Sequence, residues 1–217
     1  MSNKQIDKCG FSFLSFQNII WNEHLGNGAS GSVYKCKYND TICIGKCFYY
    51  RDYENKKGLI NDVYSELSIY KSLMNVTSTS EIIGYSYDEE AEYICILMKY
   101  YTSLSLNDYI QYYTITDKEN MYITKTLCNY LKVIHSRNII HCDIKPHNIV
   151  YEIQEKKIVF IDFGASTEID SSKSVEIEEN MGTEGYMSEE LSLGYASYKS
   201  DIYSLAVTIL ELWIKDI

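Results

Sequence analysis

The sequence predicts an α+β protein, with a small antiparallel β lobe that carries one helix and a larger, mainly helical lobe. Residues 19–48 are rich in strand-forming residues and are interrupted by turn residues. Residues 59–74 change to helical spacing, and the chain is mainly helical from residue 99 onward. We therefore predict two domains, an N-terminal one over 1–98 and a C-terminal one over 99–217.

The N-terminal lobe is predicted to begin with a three-stranded meander, whose turns fall at the glycines of segment 26–31 and at Asn39-Asp40. Apolar residues then recur at intervals of four, three and four positions, at Val63, Leu67, Tyr70 and Met74. This spacing predicts an amphipathic helix with Glu66 beside its apolar stripe. Two more strands are predicted, at 82–87 and 93–98, joined by an acidic turn at 88–90.

The C-terminal lobe is predicted to contain a helix that begins at a capping box. Thr116 and Glu119 have the spacing of such a box, and the apolar face that follows extends to His135. Two short strands and a final helix are then predicted, at 149–151, 158–161 and 197–214.

Composition narrows the class of protein. With 46% hydrophobic residues and one proline, the chain is expected to fold around a substantial core. A net charge of −10 argues against a nucleic-acid partner, because phosphate contacts need clustered Lys and Arg. Apolar residues never extend over the roughly 20 positions that span a bilayer, so we expect no membrane partner. The apolar run 11–20 is interrupted by Gln17 and Asn18, and we interpret it as the entry to a strand rather than as a secretory signal.

Cysteine usage indicates the compartment. Seven cysteines, an odd number without CxxC spacing, fit a reducing environment better than a disulfide framework or a zinc site. We expect an intracellular, cytoplasmic protein, in the host cytoplasm if the chain is viral.

The glycine-rich segment 26–33 allows two interpretations. Glycines between two strands often make only a tight turn. Without side chains at Gly26, Gly28 and Gly31, however, backbone amides can approach phosphate oxygens while Val33 packs on a base. The segment leads into a strand rather than a helix, which disfavours a dinucleotide-binding βαβ fold.

Lys46 is a charged residue within an apolar predicted strand, so its ammonium group needs either a partner or access to solvent. A buried ammonium group is costly without an anionic partner, and Glu66 on the following helix is the candidate. Lys46 would then bind the α- and β-phosphates of a nucleotide. The alternative is a lysine at a strand edge with its ammonium group in solvent.

A segment with polar residues set between two apolar runs, 139–150, gives the most specific signal. Asp143 can accept the proton of an attacking hydroxyl, Lys145 can neutralise a transferring phosphoryl group, and Asn148 can hold a metal. Asp162 follows an apolar strand and can chelate Mg²⁺ that bridges phosphates. Each of these acids alone is typical of a turn or a helix cap, whereas their occurrence in this order after the glycine segment indicates a phosphate and metal site.

In this order the motifs resemble those of a eukaryotic-type protein kinase domain of the serine/threonine branch, from about Ile19 to Ile214. The resemblance implies a two-lobed protein kinase-like fold and transfer of the γ-phosphate of ATP to Ser/Thr hydroxyls of a protein substrate. It implies Asp143 as catalytic base, Lys145 as a second catalytic residue, and Asn148 and Asp162 as Mg²⁺ ligands. The residues it places at ATP are Leu25, Gly26, Asn27, Gly28, Gly31, Val33, Lys46, Glu66, Met98 and Tyr100.

Other positions take their expected roles from the same resemblance. Met98 resembles the gatekeeper, and residues 99–101 resemble the hinge strand whose backbone binds adenine. Residues 182–190 resemble the loop that binds an extended substrate peptide, with Thr183 near the catalytic base. That loop argues against a small-molecule substrate. Asp201 resembles the buried acid that ties the catalytic loop to the lobe core.

One departure from the family pattern concerns regulation. Cys142 stands where many kinases have an arginine that binds a phosphate on the activation loop. We therefore predict that phosphorylation of Ser171, Ser172 or Ser174 is not the dominant switch. Cys142 itself is either a buried replacement or a redox sensor.

The other departure concerns the last helix. Kinase domains of this type continue for several helices beyond it, and its apolar residues go all round the helix. We expect a protein partner, self-association through this helix, or marginal stability. The alternative function is a truncated kinase-like binding module, or decoy, that regulates a complete kinase or its substrates without turnover.

Overall fold

The computed structural model describes residues 3–28, 31–76, 79–88, 92–170, 173–179 and 181–214. The chain forms two compact units, one of Met1–Met74 with Ser80–Tyr100 and one of Asn75–Thr79 with Tyr101–Ile217. Antiparallel sheet dominates the first unit and helix the second, which confirms the predicted α+β class. The predicted turn at 88–90 lies partly outside the described residues, as do Ser171 and Ser172.

Five antiparallel strands form the sheet of the first unit, in the order β1-β2-β3-β5-β4. Their bounds are Ile19–Gly28 (β1), Gly31–Tyr38 (β2), Thr41–Tyr49 (β3), Ile82–Asp88 (β4) and Tyr93–Lys99 (β5). Asn39 and Asp40 join β2 to β3 with φ angles of 47° and 62°. Positive φ at both residues is typical of a two-residue turn that matches the twist of a hairpin.

Helix α1, Lys56–Ser72, crosses the first unit and begins earlier than the predicted Leu59. Its start is set by Asn55, whose side chain accepts a hydrogen bond from the backbone N–H of Gly58 at 3.0 Å. The predicted apolar stripe is buried up to Tyr70, but Met74 lies beyond the end of the helix and is 51% exposed. The prediction for Met74 was wrong because the spacing did not reveal where the helix ends.

The apolar run 11–20 leads into β1, which begins at Ile19, so the predicted strand entry is confirmed. The chain before β1 also contains helical turns that the sequence did not predict. It forms a 3₁₀ helix over Asn3–Lys8 and another over Phe16–Asn18, and a third follows β3 at Tyr50–Asp52. Ile6, Cys9 and Leu14 are buried in the first unit. The side chains of this segment therefore belong to the core of that unit.

The second unit contains the helices Leu106–Tyr112 (α2), Asp117–His135 (α3), Glu189–Ser192 (α4) and Tyr198–Ile214 (α5), with a 3₁₀ turn at Pro146–Asn148. Its short strands are Leu104–Ser105 (β6), Ile139–Ile140 (β7), Ile149–Glu152 (β8), Lys157–Phe160 (β9), Thr167–Glu168 (β10), Val175–Glu176 (β11) and Tyr195–Ala196 (β12). The strands pair as β6-β8-β9, β10-β7 and β11-β12. The β8-β9 hairpin places residues 141–148 just before β8 and Asp162 just after β9.

Thr116 caps α3 as predicted, because its hydroxyl accepts from the backbone N–H of Glu119 at 3.3 Å. The reciprocal half of the capping box is replaced by other contacts. The Glu119 carboxylate accepts hydrogen bonds from the hydroxyls of Tyr109 and Tyr151 at 2.9 and 3.1 Å. It thereby links α2, α3 and β8.

Helix α5 has one covered face and one exposed face. Leu205 and Leu212 are buried, whereas Ile202 and Leu210 are 57% and 48% exposed. The described helices include none that is both long enough and apolar enough to cross a membrane.

Candidate active site

The glycine segment lies at the β1-β2 hairpin. Gly26 pairs with Val33, and Asn27 pairs with Ser32. Ala29 and Ser30 lie outside the described residues. The Asn27 side-chain oxygen accepts a hydrogen bond from the Ser32 hydroxyl at 2.9 Å, which ties the two strands together.

Glycine is required at Gly26 and at Gly31 for different physical reasons. Gly26 has a φ angle of 152°, and a methyl group added there would project into open space. This space fits a ligand that approaches the backbone. At Gly31 a methyl group would lie 2.5 Å from the carbonyl oxygen of Cys47, so the close packing of β2 on β3 requires glycine there. Sequence reasoning assigned Gly31 only to phosphate approach and missed this contact.

Lys46 and Glu66 form a buried ion pair in the first unit. Nζ of Lys46 lies 3.1 and 2.9 Å from the two carboxylate oxygens of Glu66. The two residues are 2% and 3% exposed. The strand-edge alternative for Lys46 is therefore wrong, and its ammonium group is held at a fixed place by β3 and α1.

The other nucleotide candidates of the first unit lie around this strand. Val33 is directly opposite Lys46 in the β2-β3 register and is partly buried. Leu25 is 46% exposed, whereas Met98 is 7% exposed and pairs with Ile44.

The expected hinge residue Tyr100 has a contact of its own. Its ring lies 4.6 Å from Nζ of Lys35, a cation–π contact within the first unit.

Asp143 is the centre of a hydrogen-bonded group in the second unit. Its Oδ2 accepts from Nδ2 of Asn148 at 2.8 Å and lies 3.0 Å from Nζ of Lys145. Its Oδ1 accepts from the Thr183 hydroxyl at 2.6 Å, and Lys145 donates to that hydroxyl at 2.6 Å. The side chains of Lys145, Asn148 and Thr183 therefore converge on the Asp143 carboxylate. Asp143 is 8% exposed.

Asp201 fixes the backbone of this loop. Its Oδ2 accepts from the backbone N–H of His141 at 2.8 Å, and its Oδ1 accepts from that of Cys142 at 2.9 Å. Nε2 of His135 lies 2.8 Å from the same Oδ2, and Asp201 is fully buried. Cys142 has a φ angle of 65°, a left-handed conformation that these contacts hold in place. The contact of His135 with Asp201 could not be predicted, because no sequence pattern links the two residues.

The Cys142 side chain is part of a hydrophobic cluster with Ile140, Ile169, Leu191 and Ala196. Burial raises the pKa of its thiol well above the usual value, and the charges of Asp201 and Asp143 raise it further. Reactive cysteines have a lowered pKa and access to solvent. The environment of Cys142 therefore favours the buried replacement over the redox sensor.

Asp162 follows β9 and adopts a left-handed backbone with φ of 59°. Its Oδ1 accepts from the backbone N–H of Gly164 at 3.3 Å. The next residue, Phe163, is fully buried and packs on the ring of His141 at 4.7 Å between centroids. Packing of Phe163 thus anchors the position of Asp162.

The side-chain oxygens of Asn148 and Asp162, in the second unit, are of the kind that binds Mg²⁺. Asn148 donates from its amide nitrogen to the backbone carbonyl and the carboxylate of Asp143, which leaves its amide oxygen for a cation. Within the described residues there is no cluster of three His, Cys, Asp or Glu side chains that could hold a metal. Mg²⁺ ordinarily takes one or two protein oxygens and completes its shell with water and phosphate. Asn148 and Asp162 match that donor set.

The segment after Thr183 is tied to α5. The Tyr186 hydroxyl donates to the Glu211 carboxylate at 2.7 Å, and the Ser204 hydroxyl donates to the backbone carbonyl of Tyr186 at 2.8 Å. Sequence reasoning missed Glu211, because nothing in the helical spacing of α5 distinguishes it. These bonds hold the loop that carries Thr183 on the same helix that carries Asp201.

Comparison with known proteins agrees with this geometry. A family model described as protein kinase domain matches residues 20–217. The serine/threonine-protein kinase pakF of Dictyostelium discoideum is 30% identical over 200 residues, which are 90% of this chain and 16% of that protein. The serine/threonine-protein kinase PrkC of Bacillus subtilis is 31% identical over 163 residues, 74% of this chain and 24% of that protein.

A human relative extends the comparison. Myosin light chain kinase family member 4 is 26% identical over 200 residues, which are 89% of this chain and 49% of that protein. The chain thus spans about half or less of the length of these curated relatives. Because the family model extends over both compact units and includes every residue of the Asp143 group, the chain belongs to the protein kinase domain family.

Proposed function

We propose that the chain is the catalytic domain of a serine/threonine protein kinase, which transfers the γ-phosphate of ATP to a Ser or Thr hydroxyl of a protein. The observation that carries the proposal is the group formed by Asp143, Lys145, Asn148 and Thr183. In this group a carboxylate already accepts a hydrogen bond from a threonine hydroxyl. A substrate hydroxyl has the same chemistry.

Asp143 is proposed as the catalytic base. Its carboxylate is fixed by Asn148 and Lys145, so one oxygen is held ready to accept the proton of the attacking hydroxyl. Lys145 is proposed to offset negative charge on the group being transferred. The bound Mg²⁺, held by Asn148 and Asp162, would supply further positive charge at the phosphates.

Lys46 is proposed to bind phosphate oxygens of ATP. Its bidentate contact with Glu66 keeps the ammonium group in one place, and a preorganised charge loses little freedom when a ligand binds. Open space next to the backbone at Gly26 supports phosphate approach there. We propose Leu25, Val33, Met98 and the Tyr100 backbone as contacts to the nucleoside.

The decisive experiment compares the natural chain with Asp143→Asn. This change keeps the shape of the side chain and removes the base. We expect Mg²⁺-dependent phosphorylation of peptides that contain Ser or Thr to fall about 10²- to 10⁴-fold. Binding of a fluorescent ATP analogue should persist, because Asp143 is not a proposed nucleotide contact. Asp117→Asn, at an exposed carboxylate of the same unit, is the matched control and should keep full activity.

Two outcomes would contradict the proposal. Phosphorylation no higher than background by both the natural chain and Asp143→Asn, with nucleotide still bound, would favour a binding module that regulates other proteins without turnover. Phosphorylation of Tyr peptides in preference to Ser and Thr peptides would contradict the substrate class, for which Lys145 is the supporting residue.

Self-association of the chain is a separate proposal. The exposed apolar residues of α5, Ile202 and Leu210 among them, support self-association through this helix. Sedimentation should then show a dimer that Leu210→Lys dissociates, and a monomer at all concentrations would contradict self-association.

An intracellular location is supported by the seven cysteines, all of which are free thiols.

A further inference from the structure

Residues 6–14, here called the N-terminal brace, precede the residues that the family model matches. They nevertheless belong to the first unit, where Ile6 is fully buried and Cys9 is 2% exposed. The proposed function gives them no role. Their contacts indicate one.

The brace packs on α1. The 3₁₀ helix Asn3–Lys8 contacts α1 directly. Ile6 and Cys9 are members of one buried cluster with Val63 and Leu67 of α1. Those two α1 residues lie on either side of Glu66 in the sequence, so the brace supports the part of the helix that carries the partner of Lys46.

The brace is also fixed to β4, which lies at one edge of the sheet. The backbone N–H of Leu14 donates to the carbonyl of Tyr85 at 2.8 Å, and that of Tyr85 donates to the carbonyl of Ser12 at 3.1 Å. The Tyr85 hydroxyl donates to the Asp7 carboxylate at 2.7 Å. Contacts at both ends of the brace therefore join β4 to α1.

Gly84 gives independent evidence that β4 is shaped for this contact. A methyl group there would lie 2.5 Å from the carbonyl oxygen of Ser12 and 2.7 Å from Cγ of Leu14. Glycine inside a strand is otherwise unfavourable and often marks close backbone approach. The absence of a side chain at Gly84 is what lets the brace lie against the sheet.

We propose that the brace is an intramolecular positioning element of α1, which holds Glu66 where it pairs with Lys46. Ile6 and Asp7 are its positioning residues. Loss of the brace frees α1 to move, and the ammonium group of Lys46 is then no longer held for phosphate. The consequence for ATP rests on the proposed kinase function, whereas the consequence for α1 does not.

The test uses the full chain with Ile6→Asn, which removes the buried anchor, and Gly84→Val, which displaces the brace without changing it or α1. Lys8→Asn, at an exposed position of the same 3₁₀ helix, is the matched control, and Ile6→Val is the conservative variant. Amide hydrogen exchange of α1, α3 and α5 is measured together with kcat and KM for ATP.

In Ile6→Asn and Gly84→Val we expect exchange in α1 to rise at least about tenfold, with α3 and α5 unchanged. KM for ATP should rise by about tenfold, one factor of ten being 1.4 kcal/mol of lost interaction. Lys8→Asn should match the natural chain, and Ile6→Val, which keeps most of the buried side chain, should raise exchange and KM less than Ile6→Asn does. A peptide of residues 1–18 added to Ile6→Asn should restore protection of α1.

Unchanged exchange in α1, or an equal rise in all three helices, would overturn the proposal. If both variants fail to fold, Tyr85→Phe removes only the hydrogen bond to Asp7. It should then raise exchange in α1 to a smaller extent, and no rise would count against the brace. Because hydrogen exchange needs no turnover, a chain that proves inactive still tests the brace separately from the kinase proposal.

Discussion

Thr183 donates its hydroxyl proton to Oδ1 of Asp143 at 2.6 Å and accepts a hydrogen bond from Nζ of Lys145 at the same distance. One hydroxyl thus connects the proposed base to the proposed charge-neutralising lysine. It also fixes the loop that follows Gly182 on the catalytic group.

Removal of this hydroxyl should lower turnover. We expect Thr183→Ala to reduce kcat by about tenfold to a hundredfold, since hydrogen bonds to charged groups contribute ~1.5–3 kcal/mol. Thr183→Ser keeps the hydroxyl and should retain most of the activity. Steady-state kinetics at saturating ATP distinguish the two. Equal loss in both variants would show that the methyl group, not the hydroxyl, matters.

Because the Lys46–Glu66 ion pair is buried, its loss should lower the free energy of unfolding. Glu66→Gln leaves a buried ammonium group opposite a neutral amide, which is expected to lower the free energy of unfolding by ~3–5 kcal/mol. The double variant Lys46→Met/Glu66→Met should be less destabilised than Glu66→Gln. Urea denaturation measures both.

The exposed pair of Arg51 and Asp52 is the control for this comparison, at 3.7 Å with side chains 77% and 56% exposed. Asp52→Asn should have no measurable effect on the free energy of unfolding. A double variant as unstable as Glu66→Gln would contradict the argument that the unpaired charge causes the loss.

Asp201 should matter for stability as much as for catalysis. Asp201→Asn replaces one acceptor oxygen by an amide N–H₂, which then faces a backbone N–H of residue 141 or 142. Leaving a buried backbone donor without an acceptor, together with the loss of the negative charge beside His135, should cost ~2–4 kcal/mol. Urea denaturation with Glu155→Gln as the surface control measures it. A change below about 0.5 kcal/mol, typical of surface sites, would contradict the role of Asp201.

Activation-loop phosphorylation should have a small effect. Cys142 offers no cation to a phosphate, and the strand pair β11-β12 holds Val175 and Glu176 on Ala196 and Tyr195. Phosphatase treatment, and alanine at Ser171, Ser172 and Ser174 together, should each change activity by less than about tenfold, or 1.4 kcal/mol. A larger gain from phosphorylation would require another phosphate-binding residue.

Thiol reactivity should separate Cys128 from Cys142. Cys128 is exposed, whereas burial raises the pKa of Cys142 and leaves little thiolate at neutral pH. Iodoacetamide should therefore alkylate Cys128 first in the folded chain and Cys142 only on unfolding, as followed by peptide mass spectrometry. Rapid modification of Cys142 in the folded chain would revive the redox-sensor hypothesis.

The parts of the site whose residues lie close together in the sequence could be predicted. Asp143, Lys145 and Asn148 lie within one segment, and the apolar strands around them indicated a fixed loop. The capping residue Thr116 and the turn at Asn39-Asp40 were likewise predictable, because their physical causes act within a few residues.

Contacts between distant segments were not predictable in this way. The Glu119 side chain binds Tyr109 and Tyr151 instead of the backbone at the start of its own helix. This contact depends on where α2 and β8 pack. The need for Gly31 arises from Cys47 on another strand. Ile6 and Cys9 have no periodic apolar neighbours, so no pattern marked them as core residues.

The contact of the N-terminal brace with β4 has one more consequence. An edge strand presents unpaired N–H and C=O groups on which another chain can add a strand and begin aggregation. Leu14 and Ser12 form hydrogen bonds with these groups of Tyr85, and the ring of Phe13 contacts the rings of Tyr85 and Tyr87. The N-terminal brace therefore shields part of this edge of the sheet from strand addition by neighbouring molecules at high protein concentration.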